Sequence, residues 1–196
     1  MLAQHRLRHE IYVDERGWEA LRSPDRLERD QFDNNEAAYV LAIDKGRVLG
    51  GSRFSPTTSP HLLSEIFPHM ADVKGVPRAP DIAEWTRFYA SRSERASWQN
   101  GGTIGQILCG GIEYLLSNGF TAFTFLFEAW FLGRIHDMGW RVRPLGLPSV
   151  IENGWWLAAQ VDVDEEALHR TRRFCGVAGP VLLQEGIARH TERRIA

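Results

Sequence analysis

The sequence predicts a mixed α/β (α+β) sandwich of three layers. Two β-rich runs in the first third, AAYVLAID and RVLGGSRFSP, are separated only by Lys45 and Gly46, which is the chemistry of a hairpin. From about residue 101, helical and strand periods alternate instead. Antiparallel strands followed by helix and strand in alternation give a mixed sheet covered by helices. A chain of 196 residues is enough for one such domain, 1–196, with a sizeable core.

In order, residues 2–12 have helical composition with apolar Leu2, Leu7, Ile11 and Tyr12. The polar stretch 15–35, broken by Pro24 and closed by two asparagines, is expected to be a long mobile loop. The hairpin strands follow at 37–44 and 47–56. Residues 59–71 mix Pro, Leu, Ile and Phe as a short helix, and the Pro and Gly between 75 and 80 lead into a central strand, IAEWTRFYAS, at 82–91. Residues 101–120 carry apolar side chains at helical spacing and close on Asn118 and Gly119, a C-cap. Strand 121–127, helix 130–138, strands 140–146 and 154–163, and a charged helix from Asp164 complete the chain. There is no internal repeat, low-complexity tract or interdomain linker.

Composition narrows the function classes. Hydrophobic residues at 43%, charged residues at 24% and seven tryptophans describe a folded globular protein, and the mean hydropathy of -0.30 agrees. A net charge of -2 gives no global electrostatic reason to bind nucleic acid, so no nucleic-acid partner is expected. Cys109 and Cys175 lie in different segments and indicate neither a disulfide framework nor a zinc cluster, so a reducing cytoplasm is the simplest compartment and no metal is expected. The polar opening MLAQHRLRHE has no signal-peptide core and no apolar run reaches membrane-spanning length, so no membrane association is expected. Serine-hydrolase, P-loop, zincin and C-x-x-C patterns are absent. His136 and Asp137, adjacent on a helix, read as surface residues.

The most telling stretch is Glu84-Trp85-Thr86-Arg87-Phe88. Side chains at i and i+3 of a regular strand face opposite ways, so Glu84 and Arg87 share a pocket only if a bulge or splay intervenes. Upstream stand Arg8, Tyr12, Trp18, Asp30, Asp33, Arg53 and Phe67. With EWTRF, the runs RLRHEIYVDERGW (6–18), ERDQFD (28–33), GGSRFSPTT (50–58) and the phenylalanine of EIFP at 67 make the chain resemble the acyl-homoserine lactone synthases, the bacterial autoinducer synthases of quorum sensing. PLGLPSVIEN (144–153) and the opening run are most similar to the branch that makes branched-chain or aryl homoserine lactones.

The resemblance implies a GNAT-type acyltransferase fold, a twisted mixed sheet splayed into a V-shaped cleft. It also implies a reaction: the amine of S-adenosylmethionine is acylated from an acyl-CoA or acyl carrier protein thioester, then lactonised with release of methylthioadenosine. No further cofactor is implied. Glu84, Arg87 and Arg53 would form the catalytic set, with Glu84 accepting the ammonium proton. Arg8, Tyr12, Trp18, Asp30, Asp33 and Phe88 would hold S-adenosylmethionine, whose sulfonium suits aromatic faces and carboxylates and whose carboxylate suits arginine. Phe67, Phe125, Phe127 and Trp130 would serve the acyl side. Gly101, Gly102 and Gly105 would meet the pantetheine or pyrophosphate at a helix start.

Each has a plainer reading. Glu84 could bridge Arg87 or Arg53 to stabilise the sheet, Asp30 and Asp33 could form turns, Arg8 could be solvated, Trp18 could anchor packing and Phe67 could be a support. The strand aromatics could be ordinary core, and the glycines could serve a flexible loop. Tyr12 stands where the family usually has phenylalanine, keeping the ring and adding a hydroxyl. The bulky FLFEAWF replaces a region where members using 3-oxo chains tend to carry threonine, so a short, branched or aromatic acyl group is expected. Arginines 170, 172, 173, 189, 193 and 194 read as a solvated face, or as a dock for an acidic carrier protein. Members of the family usually have a further strand before the Arg8 segment, for which residues 1–7 leave no room; a late start or a missing strand is expected. Two rivals stay open: a GNAT-type acyltransferase acting on another amine, and a non-catalytic protein binding S-adenosylmethionine or an acyl thioester.

Overall fold

The computed structural model describes residues 1–183 apart from Ser97 and Asn153. Helix α1, Leu2–His9, runs on into a π-helical segment, Glu10–Glu15, so the first helix extends beyond its expected end. The expected hairpin is present as β1, Ala38–Asp44, and β2, Arg47–Pro56. Lys45 and Gly46 both adopt positive φ at its turn, the backbone a tight two-residue hairpin requires. Residues 59–71 form two short pieces, α2 at Leu62–Glu65 and a 3-10 turn at Pro68–Ala71, because Pro68 cannot continue the helix. Strand β3, Ile82–Ala90, is followed by α3, Thr103–Ser117, which ends at Asn118 with Gly119 at positive φ. Then come β4 at Ala122–Glu128, α4 at Leu132–Asp137, β5 at Val142–Pro144, β6 at Ser149–Ile151, β7 at Gly154–Asp162 and α5 at Glu165–Cys175. Asp164 caps α5 by accepting from the Ala167 amide at 2.7 Å. Strand β6 carries no signal in the sequence: three residues are too few to show a period, and pairing with β7 makes the strand.

The described strands form one mixed sheet in the order β1-β2-β3-β4-β7-β5, with β6 also on β7. One face, with Phe54, Trp85, Phe123, Phe125 and Phe127, packs on α3 and α5. The other face carries two smaller clusters, one around Leu63, Met70 and Ala158, the other around Ile11, Tyr12 and Tyr89. The fold is the expected three-layer α/β arrangement, with β3 central.

Two departures from a regular sheet create the site. Strands β3 and β4 are in parallel register only at Ile82–Glu84 against Ala122–Thr124, whereas β4 and β7 pair along seven positions. Beyond residue 84 the two central strands part. Between β2 and β3 the register shifts, with Gly51 opposite Tyr89 and Arg53 opposite Thr86, so Arg87 and Phe88 together face Ser52. This is a β-bulge, and Arg87 sits in it at φ 51°. Because a non-glycine residue rarely takes that conformation, the surroundings must hold it there.

Candidate active site

The splayed strands leave a cleft of about 630 Å³ that passes through the sheet. On the α3 face it is walled by Trp85, Leu108, Phe123, Phe125, Phe127 and Trp140. The Phe125 and Phe127 rings stack at 4.4 Å, Phe123 meets Trp140 edge to face at 5.5 Å, and Trp85 packs on Phe123 at 5.0 Å. Gly111 on α3 makes room for this chamber, since a Cβ there would lie 2.4 Å from Trp85.

The opposite mouth is chemically different. It presents Tyr12, Trp18, Asp30, Phe67, Arg87 and Trp156. Tyr12 and Trp18 stack at 5.2 Å with planes 12° apart, Trp18 leans on Trp156 at 5.9 Å, and the Arg87 guanidinium lies 5.7 Å from the Tyr12 ring centre. The Tyr12 hydroxyl donates to the Phe88 carbonyl at 3.2 Å, a bond phenylalanine could not make. Arg16 reaches across the mouth to Glu128 at 2.7 Å.

Behind this mouth lies a buried ring of three guanidiniums and three carboxylates. Arg8 donates to Asp33 through both terminal nitrogens, at 2.7 and 2.8 Å, and through Nε to Glu28. Arg53 donates to Asp30 at 2.5 and 3.2 Å and to the Thr86 hydroxyl at 3.1 Å. Arg87 spans Glu28 at 2.9 Å and Asp30 at 2.7 Å. Tyr39 adds a hydrogen bond to Asp33 at 2.7 Å. Arg8, Arg53 and Glu28 are wholly enclosed, which is tolerable only because each charge is matched and hydrogen-bonded. Burial works to raise the Asp33 pKa, but the Arg8 hydrogen bonds and the Arg8 and Arg53 charges outweigh it and hold the carboxyl well below the usual range. The loop 15–35, expected to be mobile, is therefore fastened: Glu28, Asp30 and Asp33 tie it to α1, β2 and β3, and Leu27 and Phe32 are buried beneath it.

Of the residues proposed from sequence, Tyr12, Trp18, Asp30, Arg87, Phe88, Phe67, Phe125, Phe127 and Trp130 line the cleft. Arg8, Asp33 and Arg53 stand behind its wall in the ionic ring. Glu84 is buried and does not line the cleft, although its neighbours Leu62 and Thr86 do. Its two carboxylate oxygens accept the amides of Leu62 at 2.9 Å and Leu63 at 2.6 Å, so it anchors the start of α2. Burial raises the Glu84 pKa; the Leu63 and Leu62 amides and the charges of His61 and Arg53 pull the other way without cancelling it. Glu84 bridges neither Arg87 nor Arg53. Gly101, Gly102 and Gly105 lie off the cleft: Gly105 meets the Cys175 side chain and the Trp98 carbonyl, which leaves no room for a Cβ. Glu28 is the main residue that sequence reasoning missed. Its signal was its place at the head of ERDQFD, two residues before Asp30.

Elsewhere, His136 and Asp137 are exposed as expected. Arg172 is held by Glu113 at 2.7 Å, and arginines 189, 193 and 194 lie outside the described residues. Among the described residues, no group of three or more His, Cys, Asp or Glu side chains is placed to hold a metal ion, and no helix is long and apolar enough to cross a membrane.

Comparison with known proteins agrees with this geometry. A family model described as autoinducer synthase matches residues 2–171. The isovaleryl-homoserine lactone synthase of Bradyrhizobium diazoefficiens is 43% identical over 169 residues, covering 86% of this chain and 75% of that protein. An acyl-homoserine-lactone synthase of Agrobacterium fabrum is 28% identical over 85% of this chain and 80% of its own. Among solved structures, the CoA-dependent acyl-homoserine lactone synthase BjaI with SAM and isopentyl-CoA superposes with a TM-score of 0.86 at 39% identity, covering 94% of this chain and 85% of that one. A putative N-acetyltransferase from Lactobacillus plantarum, 18% identical with a TM-score of 0.56 over 83% of this chain and 90% of its own, shares the fold. The chain belongs to the autoinducer synthase family.

Proposed function

We propose that this acyl-homoserine lactone synthase acylates the α-amine of S-adenosylmethionine from a coenzyme A thioester and then closes the lactone, releasing methylthioadenosine. The observation that carries this reading is the two-ended cleft. A polar aromatic mouth suits a small zwitterion bearing a sulfonium, an apolar aromatic chamber suits an acyl group, and the gap between β3 and β4 joins them. The Tyr12 and Trp18 faces stabilise the sulfonium. Arg87 and Asp30, the members of the ionic ring that line the cleft, meet the substrate carboxylate and ammonium. Arg8, Asp33, Arg53 and Glu28 hold those two in place. The second step is intramolecular and needs mainly correct folding of the bound substrate.

Glu84 takes the first ammonium proton through an intervening group, because it does not reach the cleft itself. Burial raises its pKa, which makes this carboxylate a stronger proton acceptor than an exposed one. The stacked Phe125 and Phe127, with Phe123, Trp140 and Trp85, suit a short branched or aromatic acyl group better than a long straight chain. The name of the Bradyrhizobium relative, an isovaleryl-homoserine lactone synthase, points the same way. Coenzyme A is favoured over acyl carrier protein as donor because the superposed BjaI structure is that of a CoA-dependent synthase with isopentyl-CoA. Two free buried cysteines fit a reducing cytoplasm.

The test is mass spectrometry of products after incubation with S-adenosylmethionine and isovaleryl, aryl and straight-chain thioesters of coenzyme A and of acyl carrier protein. Methylthioadenosine together with a branched or aryl homoserine lactone is expected, from the coenzyme A donors. An acylated amine without methylthioadenosine would indicate an acyltransferase acting on another amine, and binding without turnover would indicate a sensor.

A further inference from the structure

The mouth that holds Tyr12 and Trp18 is bridged from one side of the splayed sheet to the other. On the near side, the segment from Tyr12 to Trp18 is fixed to the β3 half: the Tyr12 hydroxyl bonds the Phe88 carbonyl, and Glu15 pairs with Arg95 beyond the end of that strand. On the far side, Glu128 ends β4, past Thr124, the last position at which β4 pairs with β3. Two contacts span the gap side by side. The Arg16 guanidinium meets the Glu128 carboxylate at 2.7 Å, and the Trp18 ring rests on Trp156 at 5.9 Å. They are coupled at both ends, because Arg16 lies 5.5 Å from the Trp18 ring centre and Glu128 and Trp156 are register partners across β4 and β7. The Trp130 indole N–H donates to the second Glu128 oxygen. Arg16, Trp18, Glu128 and Trp156 all line the cleft.

This clasp has the character of a closure that parts. The Arg16 and Glu128 side chains are 40% and 27% exposed, so water and salt weaken their attraction. The ionic ring behind the mouth is the opposite case, with Arg8 and Glu28 wholly enclosed. Between Arg16 and Trp18 stands Gly17 at φ 74°, and no atom outside its own chain neighbours lies within 4 Å of where a Cβ would stand. Glycine takes that conformation without strain, and nothing packed on it resists its rotation.

We propose that the Arg16–Glu128 pair, with Trp18 on Trp156, is a gate that closes the mouth over S-adenosylmethionine and parts to admit this substrate and to release methylthioadenosine. The inference rests on the reaction proposed above, which places the substrate behind Trp18. Glu128 then controls traffic without touching the ligand. A gate and a ligand contact leave different kinetic signatures. Losing a contact raises the dissociation rate and weakens affinity. Loosening a gate raises entry and exit by the same factor, because the open fraction multiplies both, and affinity stays as it was.

The experiment uses the full chain as wild type, Arg16→Gln, Glu128→Gln and the double variant, with S-adenosylmethionine association and dissociation followed by stopped-flow tryptophan fluorescence. Since an exposed ion pair is weak, each single variant should bind and release S-adenosylmethionine about two- to fivefold faster, with Kd within about twofold of wild type. The double variant should be no faster than the singles, because losing one partner already breaks the pair. A second measurement locks the mouth. In the Arg16→Cys, Glu128→Cys protein a bifunctional thiol reagent joins the two positions and spares Cys109 and Cys175, which are wholly buried. After cross-linking, uptake and release should both be at least tenfold slower than in the same protein before it. Single variants with wild-type rates, a rise in dissociation alone, additive singles, or a cross-linked protein that exchanges ligand as before would overturn the gate while leaving the proposed reaction standing. Wild-type protein that binds no S-adenosylmethionine would overturn that reaction, and the gate with it.

Discussion

Glu28→Gln is the perturbation that most directly tests the buried ionic ring. Glu28 accepts from Arg8 on one side and Arg87 on the other, and it is wholly enclosed. Replacing its carboxylate with an amide leaves three guanidiniums facing two carboxylates, one uncompensated positive charge in a site where Arg87 is only 10% exposed. Removing one partner of a buried ion pair costs about 3–5 kcal/mol. For a chain of this size each kcal/mol lowers the unfolding midpoint by roughly 2–4 °C, so the variant should melt about 6–20 °C below wild type. Adding Arg8→Met restores a balanced ring of Arg53 and Arg87 with Asp30 and Asp33. The double variant should then be less destabilised than the sum of the singles, with a coupling of roughly 0.5–3 kcal/mol. Urea denaturation of all four proteins, with m-values compared to confirm the same cooperative unit, measures the cycle. A Glu28→Gln protein within about 0.5 kcal/mol of wild type, or strictly additive singles, would refute the reasoning.

Four further outcomes follow. Gly111→Ala places a methyl 2.4 Å from the Trp85 ring, so it should cost about 1–3 kcal/mol by overpacking and raise KM for the acyl donor more than for S-adenosylmethionine; equal effects on both would break the link between Trp85 and the acyl chamber. Tyr12→Phe removes the bond to the Phe88 carbonyl but keeps the stack on Trp18, and calorimetry should show a loss of roughly 0.5–1.5 kcal/mol with S-adenosylmethionine affinity nearly unchanged. Because the Asp33 pKa is lower folded than unfolded, the unfolded chain binds the extra proton as pH falls; its stabilisation is present above the ordinary carboxylate pKa of about 4 and is lost as pH falls below it. Thermal unfolding from pH 3 to 6 should show that loss, and Asp33→Asn should be less stable at pH 6 with a flatter slope. Glu84→Gln can keep one amide bond to α2 but not both, so it should slow acylation at least tenfold while leaving S-adenosylmethionine affinity within a few-fold; unchanged turnover would remove Glu84 from the chemistry.

The sequence revealed the elements better than the contacts between them. Hairpin, central strand and the long α3 were legible because turn chemistry and apolar periods are local properties. The loop 15–35 defied expectation for the opposite reason. Its acids look solvated in any window of sequence, and their partners come from Arg8, Arg53 and Arg87, on three different elements. A polar segment is mobile only if its charges stay in water, and no local composition records whether distant cations will bury them. The smallness of Gly105 was equally illegible: Cys175 of α5 packs on it, a contact across 70 residues.

The bulge at Arg87 shows what local logic can and cannot deliver. The i, i+3 spacing of Glu84 and Arg87 demanded either a bulge or two unrelated side chains, and the bulge is there, with two residues of β3 opposite Ser52. Its mechanism was not legible, because a positive φ is ordinarily marked by glycine or asparagine and here an arginine takes it. Strain of that kind costs of order 1–3 kcal/mol, and two carboxylates from the fastened loop supply the compensation by gripping the guanidinium. The same grip holds Arg87 at the wall of the cleft. Loop, bulge and site therefore form one arrangement: releasing the loop would relax the bulge and turn Arg87 away from the cleft, so substitutions in 28–33 should impair catalysis even where they do not line it.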